Sequence, residues 1–364
     1  MKKLMKNLSI MIKPASSICN LRCKYCFYCD VAENREVFSY GVMSEDTAEN
    51  LIKSAFEAAD GGSIAFAFQG GEPLCAGLCY FRFFVDTVKK YNTKNSPVYF
   101  SLQTNGTLID NDWARFFFDN RFLIGLSLDG DIDGNRFRVD ANGNNAYYKI
   151  TQAANKLKRY GVEFNILTVL TGYCADNIER IYKHFRSQGY GYIQFIPCLR
   201  PVGDKTESEL YMTSDQYAEF LIRAFNLYVK DFVRGKYLSI RQFDNWVRMY
   251  HGEKAEQCGL NGHCTHQIVV EGNGNIYPCD FFCTDEWLLG NINNDSLNDM
   301  LESKKARLFI EESLQVRDEC KTCRFYKICR GGGCKREKMS EDYCKAYKQF
   351  FASCLPLFRV FSKG

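Results

Sequence analysis

The sequence lacks the features that would place the protein in a membrane or on nucleic acid. Its 364 residues include no apolar run of 18 or more, so we expect no transmembrane helix. Lys6 and Asn7 interrupt the first apolar stretch before a signal peptide can form. The net charge of +4 is small and dispersed, which argues against nucleic-acid binding. These absences predict a cytoplasmic protein of about two domains.

Histidine is scarce and cysteine is abundant, with 4 histidines against 18 cysteines. Disulfides do not persist in a reducing cytoplasm, so these cysteines are expected to be free thiols or metal ligands. Eleven of them form two groups, one near the amino terminus and one in the last third. The other seven have no predicted ligand role, and most are expected to fill apolar interior: Cys29, Cys75, Cys79, Cys174, Cys198, Cys283 and Cys354.

The first 200 residues repeat a short β-branched or aromatic run followed by a helical stretch. This alternation predicts parallel strands joined by right-handed crossovers. Six units are too few for a closed eight-stranded barrel, so we predict an α/β fold with a partial (β/α)6 barrel. The predicted strands are Leu8–Lys13, Ser63–Gln69, Val98–Gln103, Leu123–Leu128, Glu163–Leu170 and Tyr192–Ile196. The predicted helices include Glu45–Ala59, with Ser44 as its N-cap, Asn111–Asn120, Ala146–Tyr160 and Ala175–Gln188.

Three segments are predicted along the chain. Residues 1–200 form the barrel, residues 201–250 form a helical linker, and residues 251–364 form a small cysteine-rich α+β domain with a C-terminal helix. In the last segment, two short strands flank Gly272-Asn273-Gly274, which predicts a hairpin. Sites in parallel α/β folds lie at the carboxyl ends of the strands, so the loops there are the places to search.

The first cysteine group has the spacing Cys19-x3-Cys23-x2-Cys26 and follows the first predicted strand. Three thiolates on one loop can hold three irons of a [4Fe-4S] cluster and leave the fourth iron without a protein ligand. An open position on a metal is typical of catalytic sites. Structural zinc is the alternative, because Cys29 could supply a fourth ligand.

This triplet resembles the signature of the radical S-adenosylmethionine (SAM) enzymes. Gly70-Gly71-Glu72-Pro73 resembles the motif with which that family binds the amino group of SAM, and Glu72 could accept from the ammonium. The resemblance implies that SAM binds the open iron and yields a 5′-deoxyadenosyl radical. It also implies that five residues contact SAM, namely Tyr25, Gly71, Ser127, Arg138 and Leu199. Among them, Ser127 would contact a ribose hydroxyl and Arg138 would contact the SAM carboxylate.

The second cysteine group resembles the twin-cluster domain called SPASM, which implies two further [4Fe-4S] clusters. The resemblance assigns one cluster to Cys258, Cys264, Cys279 and Cys334, and the other to Cys320, Cys323, Cys329 and Cys344. Four residues separate Cys329 from Cys334 where the family usually has three. Gly331, Gly332 and Gly333 could absorb the extra residue by adopting positive φ. Zinc ribbons are the alternative for this segment alone.

Over nearly its whole length the chain resembles the anaerobic sulfatase-maturating enzymes, in stretches such as Gln103-Thr104-Asn105-Gly106 and Tyr277-Pro278-Cys279-Asp280-Phe281. The resemblance implies oxidation of a cysteine or serine to Cα-formylglycine in an unfolded sulfatase, within Cys-x-Pro-x-Arg or Ser-x-Pro-x-Arg. Asp280 would accept the proton, and an electron would leave through the auxiliary clusters. A reducing donor such as flavodoxin or ferredoxin would supply electrons, and Tyr28 and Gln69 would face the substrate or the adenosyl group.

Two other functions stay open at this point. A maturase that crosslinks a ribosomally made peptide often has a peptide-binding domain before the triplet, whereas only 18 residues precede Cys19 here. A zinc-stabilised binding protein would hold zinc without iron or sulfide. Asp280 itself could be a turn residue after the hairpin rather than a base.

Overall fold

A computed structural model describes residues 7–201, 204–340 and 343–361. The chain forms two compact units. The first consists of Met1–Ser127, Val139–Phe164 and His266–Phe309. The second consists of Leu128–Arg138, Asn165–Thr265 and Ile310–Gly364. The three-segment division predicted above stays a prediction, and these units divide the chain differently.

The six predicted strands are all present, each to within one residue at either end, and so is the predicted hairpin. Alternating burial along them, as in the first strand, reflects apolar side chains that face a core on every second residue. The strands are β1 (Asn7–Ile12), β2 (Ser63–Phe68), β3 (Val98–Thr104), β4 (Phe122–Ser127), β5 (Phe164–Leu170), β6 (Tyr192–Pro197), β7 (Ser239–Ile240), β8 (Ile268–Val270), β9 (Asn275–Tyr277) and β10 (Gly290–Asn291).

In the first unit the hydrogen-bonded strand order is β10-β9-β8-β1-β2-β3-β4. Strand β1 is parallel to both neighbours, with Ile10 opposite Phe66 on one side and Ile268 on the other. The hairpin from the last third of the chain therefore extends the sheet of the amino-terminal strands. In the second unit β5, β6 and β7 are parallel, which continues the strand–helix alternation.

The helices follow the predicted pattern with one difference. Ser44 caps the helix Glu45–Ala59 as expected, because its hydroxyl accepts from the backbone N–H of Thr47 at 3.2 Å. The single helix predicted over 175–188 is divided at Asn177, whose φ of −106° departs from helical geometry. No helix within the described ranges is long and apolar enough to cross a membrane.

The helices are α1 (Phe27–Glu33), α2 (Glu45–Ala59), α3 (Leu78–Tyr91), α4 (Asn111–Asp119), α5 (Tyr147–Tyr160), α6 (Gly172–Asp176), α7 (Ile178–Ser187), α8 (Ser214–Val233), α9 (Arg241–Tyr250), α10 (Leu297–Leu301), α11 (Lys304–Ser313), α12 (Asp318–Lys321), α13 (Tyr326–Cys329), α14 (Lys335–Ser340) and α15 (Cys344–Cys354).

Candidate active site

The cysteine triplet lies on the loop that follows β1. Ser16 has a left-handed backbone with φ of 49°, which turns the chain sharply before the first cysteine. Cys19 and Cys23 lie on the loop itself, and Cys26 is the N-cap residue of α1. Strand β1 and helix α1 thus hold the two ends of a short segment, called here the triplet loop, residues 19–26.

The thiols of the triplet loop are close enough to affect one another. Burial raises the pKa of Cys19 to about 12, and negative charge on Cys23 and Cys26 acts in the same direction. A hydrogen bond to Cys26, together with burial, raises the pKa of Cys29. Three neighbouring thiolates repel one another, so the donor set fits a positively charged metal centre.

The glycine-rich turn after β2 packs directly on the loop that leads to the triplet. The Gly71 N–H donates to the Ser16 carbonyl at 2.8 Å, and the Glu72 N–H donates to the Ile18 carbonyl at 2.7 Å. A β-carbon at position 71 would overlap the Ile18 carbonyl oxygen. Glycine is therefore needed at 71 because two backbone segments approach closely, whatever contact it makes with SAM.

Glu72 has a structural role that was not predicted from the sequence. Its side chain is buried, and Oε1 accepts from Leu74 N at 3.1 Å and from Thr104 Oγ1 at 2.7 Å. Oε2 accepts from Asn105 N at 2.7 Å. Both carboxylate oxygens thus fasten the turn to the end of β3, and this carboxylate holds the fold around the motif.

Two further predicted SAM contacts lie in the first unit. Ser127 is the last residue of β4, and its hydroxyl accepts from Gln103 Nε2 at 2.9 Å. Tyr25 lies within the triplet loop and is half-buried. Both residues lie at or after the carboxyl end of a parallel strand, as expected, and their contacts with SAM stay predictions.

Asp280, the predicted base, lies just after β9 and is 5 % exposed. Its carboxylate has a donor on each oxygen. Lys13 Nζ forms an ion pair with Oδ1, and Gln69 Nε2 donates to Oδ2 at 2.7 Å. Gln69 was expected to face the substrate or the adenosyl group, and here it contacts the predicted base. An ordinary exposed turn residue would not be held in this way.

The buried charged side chains around Asp280 were not predicted from the sequence. The ammonium of Lys13 lies 3.8 Å from the centre of the Tyr28 ring, and the Tyr28 hydroxyl donates to Glu271. Arg35 pairs with Glu271 at 2.8 Å, with both side chains fully buried. Lys13, at the carboxyl end of a buried strand, was the one sign in the sequence of a buried charge. Its partners could not be identified because they are distant in sequence.

In the second unit, Arg138 is buried in a two-point ion pair. Its Nε donates to Asp129 Oδ2 at 3.2 Å, and its Nη2 donates to Oδ1 at 3.0 Å. Asp129 also accepts from the Val169 N–H at 2.8 Å. This geometry anchors Arg138 to the start of its loop. The predicted contact of Arg138 with the SAM carboxylate stays a prediction.

Leu199 follows the end of β6 in the second unit and is half-buried. The residue before it, Cys198, donates its N–H to the Leu170 carbonyl at 3.0 Å, which continues the pairing of β5 and β6 by one residue. Leu199 is thus the first residue free of the strand pair. Its predicted contact with SAM stays a prediction.

Four predicted ligands of one auxiliary cluster lie together in the second unit. Cys320, Cys323, Cys329 and Cys344 line one cavity, called here the four-cysteine cavity, beside the aromatic rings of Phe325 and Tyr347. Burial raises the pKa of Cys329 to about 11, and charge on the other three thiols adds to the rise. Four thiols around one cavity are the donor set that a closed [4Fe-4S] cluster requires.

Three predicted ligands of the other auxiliary cluster also belong to the second unit. Burial raises the pKa of Cys334 to about 12, and negative charge on Cys258 acts in the same direction. The Cys264 N–H is fixed by the Ser313 hydroxyl at 2.8 Å. The fourth predicted ligand, Cys279, belongs to the first unit and directly precedes Asp280, so the set of four stays a prediction.

The glycines between the last two cysteines of the dense run adopt the backbone expected of them. Arg330 has φ of 54°, and Gly331, Gly332 and Gly333 have φ of 90°, 72° and 78°. A run of left-handed residues compacts the chain and accommodates the extra residue before Cys334. All eighteen cysteines lie within the described residues, and none of them forms a disulfide. Within the described part of the chain, no group of three or more His, Cys, Asp or Glu side chains already has the geometry of a metal-ion site.

Comparison with known proteins identifies the family. Residues 14–185 match the radical SAM superfamily, and residues 262–324 match SPASM, an iron-sulfur cluster-binding domain. The chain is 43% identical to a cysteine-type anaerobic sulfatase-maturating enzyme of Clostridium novyi, over 95% of both chains.

The chain belongs to the anaerobic sulfatase-maturating enzymes. It is also 30% identical to a serine-type enzyme of Bacteroides thetaiotaomicron, over 96% of this chain and 90% of the relative. The resemblance predicted from the sequence is thereby confirmed, and so is the prediction of a radical SAM oxidoreductase.

Solved structures agree with this family. The structure of native anSMEcpe with bound AdoMet has a TM-score of 0.92 and 42% identity, and the match covers 96% of this chain and 98% of that chain. The same relative was also solved with AdoMet and the Cp18Cys peptide, with a TM-score of 0.91 and 41% identity over 97% and 98% of the two chains. The predicted fold class, a partial α/β barrel followed by a SPASM domain, is confirmed by this likeness.

Proposed function

We propose that this sulfatase-maturating enzyme oxidises a cysteine side chain of an unfolded sulfatase to Cα-formylglycine. The observation that carries the proposal is the 43% identity to cysteine-type enzymes over nearly the whole chain, against 30% to a serine-type enzyme. The target lies in a Cys-x-Pro-x-Arg segment, with Ser-x-Pro-x-Arg as the poorer substrate. The enzyme works in the cytoplasm, where its eighteen cysteines are not oxidised to disulfides.

The cofactors of the proposed reaction are SAM and three [4Fe-4S] clusters. Cys19, Cys23 and Cys26 would hold the first cluster, and the four-cysteine cavity would hold one auxiliary cluster. The ligands of the other auxiliary cluster would be Cys258, Cys264, Cys279 and Cys334. When bound, SAM and the first cluster would supply a 5′-deoxyadenosyl radical that takes a hydrogen atom from the target Cβ, and an auxiliary cluster would take the second electron. Loss of the thiol proton would then leave a thioaldehyde, which water hydrolyses to the aldehyde with release of hydrogen sulfide. Flavodoxin or ferredoxin is the proposed source of the initiating electron.

The protein's own contribution is to place the target and to accept a proton. Asp280 is proposed as the acceptor of the thiol proton at one of its carboxylate oxygens. Asp280 is only 5 % exposed, which keeps bulk water away from its carboxylate, and Gln69 Nε2 donates to Oδ2 at 2.7 Å. Proton transfer requires donor and acceptor within hydrogen-bond reach, so a carboxylate fixed in this way suits the task.

The test is incubation of the anaerobically reconstituted enzyme with SAM, dithionite and matched peptides. One peptide contains Cys-x-Pro-x-Arg, the second has serine at the target position, and the third has alanine as the control. We expect aldehyde from the cysteine peptide at a higher kcat/KM than from the serine peptide, measured by mass and by reaction with a hydrazine. 5′-Deoxyadenosine without aldehyde from either peptide would contradict the proposal.

The role of Asp280 is tested with Asp280→Asn, which keeps the size and one acceptor oxygen. We expect SAM cleavage to continue while aldehyde formation falls by about 100-fold or more, the usual range for loss of a general base. Aldehyde formation at the wild-type rate would assign the proton to another acceptor.

A further inference from the structure

Lys13 forms an ion pair with Asp280 that the proposed function does not use. It is the residue directly after β1, and its side chain is completely buried. Its ammonium reaches Asp280 across 267 residues of sequence and lies 3.8 Å from the centre of the Tyr28 ring. A buried lysine is rare unless it is paired, so its position needs a reason.

Lys13 is one of two donors that hold the Asp280 carboxylate in place. Lys13 occupies Oδ1 and Gln69 occupies Oδ2, so that the carboxylate is held by one donor on each oxygen. Two such donors fix both the position and the plane of the group. A carboxylate has about four lone-pair directions, so a substrate thiol or hydroxyl can still donate to it.

The lysine is itself held by groups on its far side. Glu271 accepts from Arg35 at 2.8 Å and from the Tyr28 hydroxyl, and the Tyr28 ring lies beside the Lys13 ammonium. Burial works against the charge on Lys13, but the charges of Asp280 and Glu271 outweigh it and leave the pKa of Lys13 above its ordinary value. Two cations and two carboxylates thus balance inside the first unit.

The backbone and stem of Lys13 are also constrained. Its N–H donates to the Val270 carbonyl at 2.8 Å, which joins it to the strand next to β1. A β-carbon on Gly70 would lie 3.0 Å from Lys13 Cγ, so the stem runs closely past the first glycine of the glycine-rich turn. The ammonium is therefore placed by the sheet, with little freedom to move.

We propose that Lys13 is a positioning residue that orients the Asp280 carboxylate toward the proton of the substrate thiol. This rests on the proposed function, in which the thiol S–H bond breaks and its proton passes to a carboxylate oxygen of Asp280. Lys13 stays an ammonium throughout and gives up no proton. Its effect is on the placement of the acceptor, so the cleavage of SAM does not depend on it.

The first variant is Lys13→Met, which keeps the length of the stem and removes the charge and the donors. We expect kcat for aldehyde to fall by about 100-fold, because small misplacements of a reacting group have effects of this size. The KM for the cysteine peptide should stay within about threefold, and 5′-deoxyadenosine should form in excess over aldehyde. Iron content should equal that of the wild-type enzyme.

The second variant is Lys13→Ala, assayed with and without ethylammonium, which can replace the missing amine. We expect the added amine to restore at least part of the aldehyde yield relative to 5′-deoxyadenosine. The matched control is Lys94→Met, because Lys94 pairs with Asp60 on the surface of the same unit, and its removal should leave the yield unchanged. A double variant with Asp280→Asn should lose little beyond Asp280→Asn alone.

Each outcome decides the matter. Uncoupled SAM cleavage, amine rescue and non-additivity with Asp280→Asn support the positioning role. Wild-type aldehyde yield in Lys13→Met would overturn it, and so would a parallel loss of aldehyde, 5′-deoxyadenosine and iron that ethylammonium does not reverse. Failure of the wild-type enzyme to form any aldehyde would instead refute the proposed function.

Discussion

The two cysteine groups of this chain differ in how the fold presents their thiols. On the triplet loop, three cysteines lie between a strand and a helix and are only partly exposed. In the four-cysteine cavity, three helices and a loop supply four cysteines around one cavity. Three ligands leave an iron open for chemistry, whereas four close the cluster and suit it to electron transfer. If the proposed ligands are right, the number of thiols in each place separates catalysis from electron transfer.

The largest expected effect comes from removing the open site. Replacing Cys19, Cys23 and Cys26 together by alanine should abolish 5′-deoxyadenosine formation and lower iron by about a third, four atoms in twelve. Chromatographic detection of 5′-deoxyadenosine and iron analysis measure these losses. Cys79→Ala is the control, because Cys79 is exposed and outside both groups. Undiminished SAM cleavage in the triple variant would show that the triplet loop does not hold the catalytic cluster.

A smaller effect is expected when the closed site is opened. Cys320→Ala combined with Cys344→Ala removes two of the four thiols of the cavity. Aldehyde formation should fall strongly, while 5′-deoxyadenosine formation stays within about twofold of the wild type. The ratio of the two products, from one reaction mixture, is the measurement. Equal loss of both would mean that the two centres do not have separate tasks.

Arg138→Ala is expected to act chiefly on stability. Arg138 and Asp129 are a buried pair, and leaving one charge unpaired costs about 3–5 kcal/mol. The matched control is Arg180→Ala, whose pair with Asp131 is half-exposed and worth about 0–1 kcal/mol. Thermal unfolding of both variants measures the difference. A stable Arg138→Ala variant with a raised KM for SAM would instead make ligand binding its main task.

The smallest effect is expected at Cys29. It hydrogen-bonds with Cys26, yet the triplet alone is proposed to hold the first cluster. Cys29→Ala should keep the iron content of the wild type and a SAM cleavage rate within about twofold. Loss of iron in this variant would indicate a fourth ligand and a closed site, and would remove the difference between the two cysteine groups.

Local features of the fold could be predicted from the sequence because their signals are local. Ser44 followed by acidic residues marked the start of α2, and Gly272-Asn273-Gly274 marked the hairpin between β8 and β9. The glycines 331–333 were expected to have positive φ and do. In each case the residue type itself limits the backbone, so distant parts of the chain have little influence.

Features that depend on distant pairing could not be predicted in this way. Nothing in Ile268–Val270 indicates that it pairs with β1, because a short buried strand can join any edge. The ion pair of Lys13 with Asp280 depends on that pairing, as does the contact of Glu271 with Arg35. Asp280 was found only through the resemblance, and its buried surroundings came from the three-dimensional structure.

The pairing of β1 with β8 has a consequence for how the protein is made. One edge of β1 waits for a strand that the ribosome produces about 260 residues later, at roughly 5–20 residues per second. During that interval the edge is open to unwanted strand addition. Chaperone protection of the nascent chain during that interval should therefore raise the yield of folded enzyme before any iron is inserted.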